Sequence, residues 1–157
     1  MTDAAVPAVA PLGWAAVVGE APSRGRILVV DDEAEVRQSL HRLVTRMGYT
    51  TRCAGSAEEA DEWLANESFD VCLLDIELPR MSGTEFLGWA LKRDPELAII
   101  MLTGLDLPSV AVQCIDAGAR SYLVKPVEQE FLALALRDAL AVRRILVERN
   151  ELAERLS

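Results

Sequence analysis

The sequence predicts an α/β fold, a doubly wound (βα)5 sandwich around one central parallel sheet of five strands. Five short apolar runs recur at roughly even spacing along the 157 residues, and the segments between them have helical periodicity. Runs such as ILVV, VCLL and AIIML are almost continuously apolar, which is typical of strands buried on both faces of a parallel sheet. Strands that alternate with helices indicate parallel βαβ units with helices on both faces.

The first helix is the clearest of the helical segments. Its apolar residues fall on one face at helical spacing, and Gly48 follows them as a stop signal. These residues are Val36, Leu40, Leu43, Val44 and Met47. The strands are expected at residues 26–30, 49–54, 71–74, 98–102 and 121–124.

End signals predict the second and third helices. The second begins at the segment SAEEA, where Ser56 and Glu59 have the spacing of a capping box. The third covers about residues 84–93 and ends before Pro95.

The fourth and fifth helices follow the last two strands. The fourth starts near Pro108, a residue favoured at the first helical position, and ends at Gly118. The fifth starts near Glu128, and no Gly or Pro follows up to Ser157. The sequence therefore predicts a last helix about twice the average length, extended at its C-terminus.

Length and composition indicate one globular domain with short appendages. We expect a flexible, Ala/Pro-rich N-terminal extension at residues 1–24, a core domain at residues 25–141 and a C-terminal helical extension at residues 142–157. No apolar run approaches the roughly 18 residues that a membrane span needs. The N-terminal segment has no basic start and contains two prolines, so it makes a poor secretory signal.

Charge and cysteine content restrict the function further. The formal net charge of −9 and the pI of about 4.6 oppose attraction to nucleic-acid phosphates, so we expect no direct nucleic-acid binding. Arg143, Arg144 and Arg149 are the only candidates for a basic patch, and neighbouring glutamates dilute them. The three cysteines lie far apart without C-x-x-C spacing, which indicates small core residues in a reducing cytoplasm.

Polar residues follow four of the five strands. They are Asp31 and Asp32 after the first, Asp75 after the third, Thr103 after the fourth and Lys125 after the fifth. Because parallel strands point their C-terminal ends at one edge of the sheet, we expect these side chains to be neighbours there. Taken singly, each has a structural explanation; Asp32, for example, suits an N-cap with Glu35 at the third helical position.

Together these residues suggest phosphoryl chemistry. Converging carboxylates repel one another unless a cation lies among them, and hard oxygen ligands favour Mg²⁺. With Lys125 and the Thr103 hydroxyl nearby, such a site suits a phosphoryl group, and an aspartate is a known type of phosphoryl acceptor. Neither G-x-x-x-x-G-K-[ST] nor G-x-G-x-x-G occurs, so we do not expect the phosphoryl group to come from bound ATP.

The motifs at these positions resemble the receiver domain of two-component response regulators, the CheY-like superfamily. They are ILVVDDE (27–33), LLDIELPRMSG (73–83), MLTG (101–104) and AGARSYLVKP (117–126), in family order and at family-like spacing. The resemblance covers roughly residues 25–141.

The resemblance implies a role for each matching residue. Asp75 is the expected phosphoacceptor, with Asp31, Asp32 and the backbone carbonyl of Glu77 as further ligands of Mg²⁺, which Mn²⁺ can replace. Thr103 resembles the switch hydroxyl, Lys125 the lysine that pairs with the phosphoryl group, and Tyr122 the aromatic that changes rotamer in concert. A cis peptide is expected before Pro126.

The resemblance also implies the partners. The expected donor is a phosphohistidine on a sensor histidine kinase or phosphotransfer protein. The protein itself is then expected to be a signalling switch rather than a metabolic enzyme. Leu105, two residues after the switch threonine, flanks the expected path of the hydrolytic water. We expect this apolar side chain to prolong the life of the phosphorylated form.

The end of the last helix allows two interpretations. Val142, Ile145, Leu152 and Leu156 fit an a/d seam with Arg149 at an inner position, but two heptads are few. One interpretation is a helix that pairs with a second copy and passes the signal on, and the other is a solvated tail. The face of the fourth and fifth helices is a second candidate for a homodimer. The output is then either an effector protein that the receiver contacts or an output domain beyond these residues.

A competing function is an aspartate-nucleophile phosphohydrolase that uses Mg²⁺. Such enzymes usually place the nucleophile after the first strand, whereas the sequence DIE follows the third strand here. No inserted cap to enclose a substrate is evident in the sequence. The switch is therefore the favoured hypothesis.

Overall fold

The computed structural model describes residues 23–157, so nearly all of the expected N-terminal extension lies outside the described residues. Five parallel strands form one sheet in the order β2-β1-β3-β4-β5. The strands are β1 Arg26–Val30, β2 Thr50–Ala54, β3 Val71–Asp75, β4 Ala98–Thr103 and β5 Ser121–Val124. The predicted fold class is confirmed, and each strand lies within one residue of its predicted ends.

One helix follows each strand. The helices are α1 Ala34–Arg46, α2 Ala57–Asn66, α3 Gly83–Arg93, α4 Pro108–Ala117 and α5 Gln129–Leu156. Pro108 occupies the first turn of α4, and Gly118 ends it with φ of 116°, a left-handed conformation that glycine adopts without steric cost. The extended last helix is confirmed at 28 residues. No helix among residues 23–157 is both long and apolar enough to cross a membrane.

Two apolar clusters cover the two faces of the sheet. Alternate residues of each strand point to opposite faces, so Leu28 and Val30 join one cluster, whereas Ile27 and Val29 join the other. The first cluster packs against α2, α3 and α4, and the second packs against α1 and α5. Residues of β3 and β4 are at most 3% exposed, which explains their uninterrupted apolar sequence. Cys72 and Cys114 are buried in the core as free thiols, as their sequence context predicted.

Two details of helix capping differ from the prediction. Ser56 caps α2 by accepting a hydrogen bond from the Glu59 N–H at 3.2 Å, but the Glu59 carboxylate accepts from the Gly55 N–H rather than from Ser56, so the predicted capping box is half right. A complete capping box lies instead on α3, between Ser82 and Glu85.

The start of α1 matters more for the site. Its N-cap is Glu33, without a side-chain cap, so the structural explanation of Asp32 as an N-cap is wrong. Asp32 is exposed and free to bind a ligand.

Helix α5 runs beyond the sheet while remaining in contact with it. Arg143 forms an ion pair with Asp70 at 3.0 Å, and the Asn150 side chain donates to Glu96 at 3.0 Å. The predicted extension at 142–157 is therefore attached to the domain over about two turns, from Arg143 to Asn150. Its opposite face is exposed, with Ile145 at 65% and Leu156 at 79% exposure.

Candidate functional site

The C-terminal edge of the sheet brings three carboxylates together. Asp31 directly follows β1, Asp32 follows it, and Asp75 ends β3, which pairs with β1. One oxygen from each of the three carboxylates lies within 4.8 Å of the other two. Asp31 and Asp75 are buried at 0% and 3% exposure, whereas Asp32 is open to solvent. The predicted convergence of these residues is therefore found in the structure.

Lys125 supplies the positive charge of this cluster. Its ammonium lies 2.8 Å from Asp31 Oδ2, 3.3 Å from Asp75 Oδ2 and 3.8 Å from Glu33 Oε1. The position of the lysine is fixed by β5 and by its own backbone N–H, which donates to the Thr103 carbonyl at 2.7 Å. One cation thus faces two buried carboxylates.

Burial and repulsion perturb the titration of Asp75. Burial, reinforced by the charge of Asp31, raises the pKa of Asp75 to about 6, against the opposing effects of the Glu77 N–H and Lys125. Partial burial favours neutral Lys125, but the two carboxylates outweigh it and raise the pKa of that ammonium. The cluster holds three carboxylates and one ammonium, so its formal charge is negative when all of them are ionised.

A hard divalent cation fits this donor set. All three side-chain donors are carboxylate oxygens, the ligand type that Mg²⁺ prefers. Asp31 Oδ1 accepts the Glu33 N–H at 2.9 Å, but Oδ2 has no aligned hydrogen bond and only the ionic contact with Lys125. A buried carboxylate oxygen with a single ionic neighbour retains the capacity to bind a cation.

Thr103 lies at the end of β4 with its hydroxyl turned to the following loop. Thr103 Oγ1 accepts the Leu105 N–H at 2.9 Å, which forms a local turn. The side chain is 3% exposed, whereas Leu105 and Leu107 in the loop are 51% and 49% exposed. A move of the hydroxyl toward Asp75 would release the Leu105 N–H and with it the start of this loop.

The loop after β3 is bent tightly back onto the strand. The Glu77 N–H donates to Asp75 Oδ1 at 3.1 Å, and the Gly83 N–H donates to the Ile76 carbonyl at 2.7 Å. A Cβ at Gly83 would lie only 2.2 Å from the Asp75 carbonyl oxygen, so only glycine fits. Arg80 adopts a φ of 67° and reaches Glu58 of α2 with two hydrogen bonds.

Two further predicted features lie on β5. The Lys125–Pro126 peptide is cis, as expected. Tyr122 is half-buried and packs at the margin of the cluster that contains Met101, its neighbour in register on β4.

Sequence reasoning missed one residue that shapes the site. Arg37 of α1 donates to the Asp31 backbone carbonyl at 2.7 Å, and its guanidinium also lies next to Gly55. It therefore joins the loop of the acidic pair to the loop after β2. The signal in the sequence was a basic residue one turn into the helix that follows DDE, where its side chain can reach back to the strand end.

The residues that form this site lie within a match to a known protein family. The model of the response regulator receiver domain matches residues 27–137, which include every residue of the acidic cluster and Lys125. The chain belongs to this family.

The curated relatives of this receiver are longer proteins. Over 119 residues it is 40% identical to the response regulator protein PilR of Pseudomonas aeruginosa, covering 73% of this chain and 27% of PilR. Over 129 residues it is 39% identical to the response regulator MprA of Mycobacterium ulcerans, covering 82% and 53% of the two chains. The chain therefore spans about a quarter to a half of the length of these relatives.

Solved structures of receivers share the fold. The CheY-like receiver domain protein of Methanospirillum hungatei superposes with a TM-score of 0.71 at 35% identity, covering 76% of this chain and 95% of that one. NtrX of Brucella abortus, in complex with ADP, superposes with a TM-score of 0.78 at 31% identity, covering 82% and 30%.

Proposed function

We propose that this receiver is a phosphorylation-dependent switch that accepts a phosphoryl group on Asp75. The observation that carries the proposal is the position of Asp75, buried between Asp31 and Lys125 at the one edge where four strand ends meet. Asp31, Asp32, Asp75 and the Glu77 carbonyl would hold Mg²⁺ or Mn²⁺ there. When bound, the ion neutralises the charge that gathers between the carboxylates and the phosphoryl oxygens.

The protein contributes position and electrostatics to the transfer. The donor is a phosphohistidine on a sensor kinase or phosphotransfer protein, and an oxygen of ionised Asp75 attacks its phosphorus while the P–N bond breaks. The Glu77 N–H holds Asp75 Oδ1, which leaves Oδ2 on the side of Lys125. Lys125 then pairs with the transferred group, whose negative charge replaces that of the acceptor carboxylate.

The switch follows from the hydrogen bonds of Thr103. Its hydroxyl now accepts the Leu105 N–H at 2.9 Å and donates a long hydrogen bond to the Leu105 carbonyl at 3.4 Å, and it must give up this donated bond to donate to a phosphoryl oxygen on Asp75. The exchange alters the loop between β4 and α4, and Tyr122, half-buried on the neighbouring strand, moves into the space that Thr103 vacates. Phosphorylation thereby shifts the population between two conformations of this face.

Incubation with acetyl phosphate and Mg²⁺, followed by intact mass measurement, tests the proposal. We expect one phosphate adduct on the unaltered chain, none on Asp75→Asn, and a normal adduct on Asp116→Asn, which removes an exposed carboxylate of α4. Absence of an adduct on the unaltered chain over a range of Mg²⁺ and donor concentrations would count against the switch. Multiple turnover of a phosphate ester would instead favour the phosphohydrolase, which none of the comparisons supports.

Leu105→Asn is expected to shorten the life of the phosphorylated form. A polar side chain next to Thr103 can orient the hydrolytic water, and one hydrogen bond of about 1 kcal/mol corresponds to a dephosphorylation rate about fivefold higher. The loss of adduct with time measures this rate. Leu107→Asn is the matched control, because Leu107 is equally exposed in the same loop. An equal rate in all three proteins would refute the role of Leu105.

The exposed face of α5 is the proposed contact to a second copy. Ile145, Leu152 and Leu156 are all more than half exposed, and they follow the a/d spacing around Arg149. In this proposal the paired helices pass the state of the receiver to an output domain or effector; a relative, AlgB of Pseudomonas syringae, is a transcriptional regulatory protein. Sedimentation should give a dimer that is lost in Ile145→Glu with Leu152→Glu. Monomers before and after phosphorylation would contradict the pairing.

A further inference from the structure

A cavity lies at the opposite edge of the sheet from Asp75. It has a volume of about 640 Å³, within the usual range for small-molecule sites, and it opens between the base of the receiver and the side of α5. The base contributes Arg24, Tyr49 and Asp70, which precede β1, β2 and β3. Nothing in the proposed phosphoryl chemistry uses this cavity.

Four arginines line this cavity, although the whole chain carries a formal net charge of −9. They are Arg24, Arg137, Arg143 and Arg144, and they face the carboxylates Asp70 and Glu148. The arginines outnumber the carboxylates, so the walls have the charge of an anion site. The sequence had indicated Arg143 and Arg144 as part of the only candidate basic patch, and the fold brings the other two arginines to them.

The carboxylates leave much of this charge unpaired. Asp70 is fully engaged, since one oxygen pairs with Arg143 at 3.0 Å and the other accepts the Arg26 N–H at 2.8 Å. Arg143 Nε is buried and has no acceptor. Arg137 and Arg144 are exposed and form no ion pair with any of the residues 23–157.

Arg24 adds a cation next to an aromatic wall. Its guanidinium lies 4.8 Å from the centre of the Tyr49 ring and donates to the Met47 carbonyl at 2.9 Å. Leu140 and Val147 of α5 supply the apolar part of the lining. The cavity therefore combines unpaired guanidinium donors with an apolar surface large enough for an organic group.

We propose that this cavity binds a small organic phosphate, with its phosphate groups on Arg137, Arg143 and Arg144. Guanidinium groups donate in a planar fork that matches phosphate oxygens, and those of Arg137 and Arg144 are exposed and have no ion-pair partner among residues 23–157. The rest of the ligand lies against Leu140 and Val147 and reaches Arg24 at the base of the sheet. A nucleic-acid polymer fits less well, because the acidic remainder of the chain repels a long phosphate backbone.

Such a ligand would join two parts of the molecule. The phosphate-binding arginines belong to α5, whereas Arg24 and Asp70 belong to the base of the sheet. Binding would add contacts to those already made by the Arg143–Asp70 ion pair, and so hold the helical extension more firmly against the receiver. The ligand would thereby influence the same helix that is proposed to carry the output.

Calorimetric titration of the full chain with ATP and with pyrophosphate, without Mg²⁺ and at low salt, tests the site. We expect saturable binding that weakens about tenfold or more in Arg137→Gln with Arg144→Gln, since both arginines are exposed and their replacement leaves the core intact. Arg120→Gln with Arg155→Gln removes the same charge from exposed positions outside the cavity and should bind like the unaltered chain.

The probes separate the possible outcomes. Tighter binding of ATP than of pyrophosphate supports an organic phosphate that uses the apolar wall, whereas equal binding would overturn the role of Leu140 and Val147. Equally tight binding of uncharged adenosine would overturn the proposal. No binding of either anion, or binding that the two cavity substitutions leave unchanged, would also overturn it.

Discussion

Gly83→Ala is expected to lower the free energy of unfolding by about 3 kcal/mol or more, which is at the upper end for overpacking a buried position. The new methyl group would lie 2.2 Å from the Asp75 carbonyl oxygen and 2.8 Å from the Ile76 Cα. Both atoms belong to the backbone, so no side-chain rotation relieves the clash. The start of α3 must move away from β3, and phosphoryl acceptance at Asp75 should slow because its loop moves too.

Gly88→Ala provides the matched control for this prediction. Gly88 lies in the middle of the same helix, is exposed, and has no atom within 4 Å of a Cβ placed there. Alanine should therefore stabilise the helix by about 0.5–1 kcal/mol. Urea unfolding of the three proteins measures both effects. Equal stability of Gly83→Ala and the unaltered chain would mean that α3 does not approach β3 as closely as described.

Asp75→Asn is expected to raise the free energy of unfolding by about 3 kcal/mol at pH 7.5 without divalent cations. The pKa of Asp75 rises from its ordinary value of 3.8 to about 6 on folding, and each pKa unit corresponds to about 1.4 kcal/mol. Because the folded protein holds this proton more tightly, the carboxyl group contributes most to stability below its ordinary pKa. That contribution is lost as the pH rises through about 6. Asparagine stays neutral at every pH in this range, so the variant does not lose stability in this way.

The pH profile identifies the cause of this difference. The gap between Asp75→Asn and the unaltered chain should grow between about pH 4 and pH 6 and stay constant above that range. Addition of Mg²⁺ at pH 7.5 should narrow the gap by stabilising the ionised carboxylate of the unaltered chain. Asp116→Asn, at an exposed position, should show no such gap. A gap that does not depend on pH would place its origin in packing rather than in charge.

Local sequence patterns predicted most of the fold because they report burial directly. The three central strands β1, β3 and β4 are buried on both faces, so their apolar runs have few interruptions. Pro108 and Gly118 mark the ends of α4 by backbone geometry alone. Strand order and handedness of the connections limit where the strand ends lie. For that reason Asp31, Asp75 and Lys125 could be placed together although they lie far apart in the chain.

Local sequence patterns could not predict features that depend on tertiary geometry. Asp32 had the sequence of an N-cap, but the turn after β1 places Glu33 at that position. The hydrogen bond from Arg37 to the Asp31 carbonyl depends on how α1 is rotated against the sheet. The cavity at the base of the sheet joins Arg24 to Arg144, residues that no local window contains.

The aspartate that carries the phosphoryl group can be identified chemically. An acyl phosphate is reduced by borohydride to an alcohol, so a phosphorylated aspartate becomes homoserine and stays marked during digestion. After treatment with acetyl phosphate and Mg²⁺, peptide mass spectrometry should find homoserine at position 75 and at no other aspartate. Homoserine at position 31 or 32, or a phosphate adduct that borohydride leaves unchanged, would contradict the assignment of Asp75 as the acceptor.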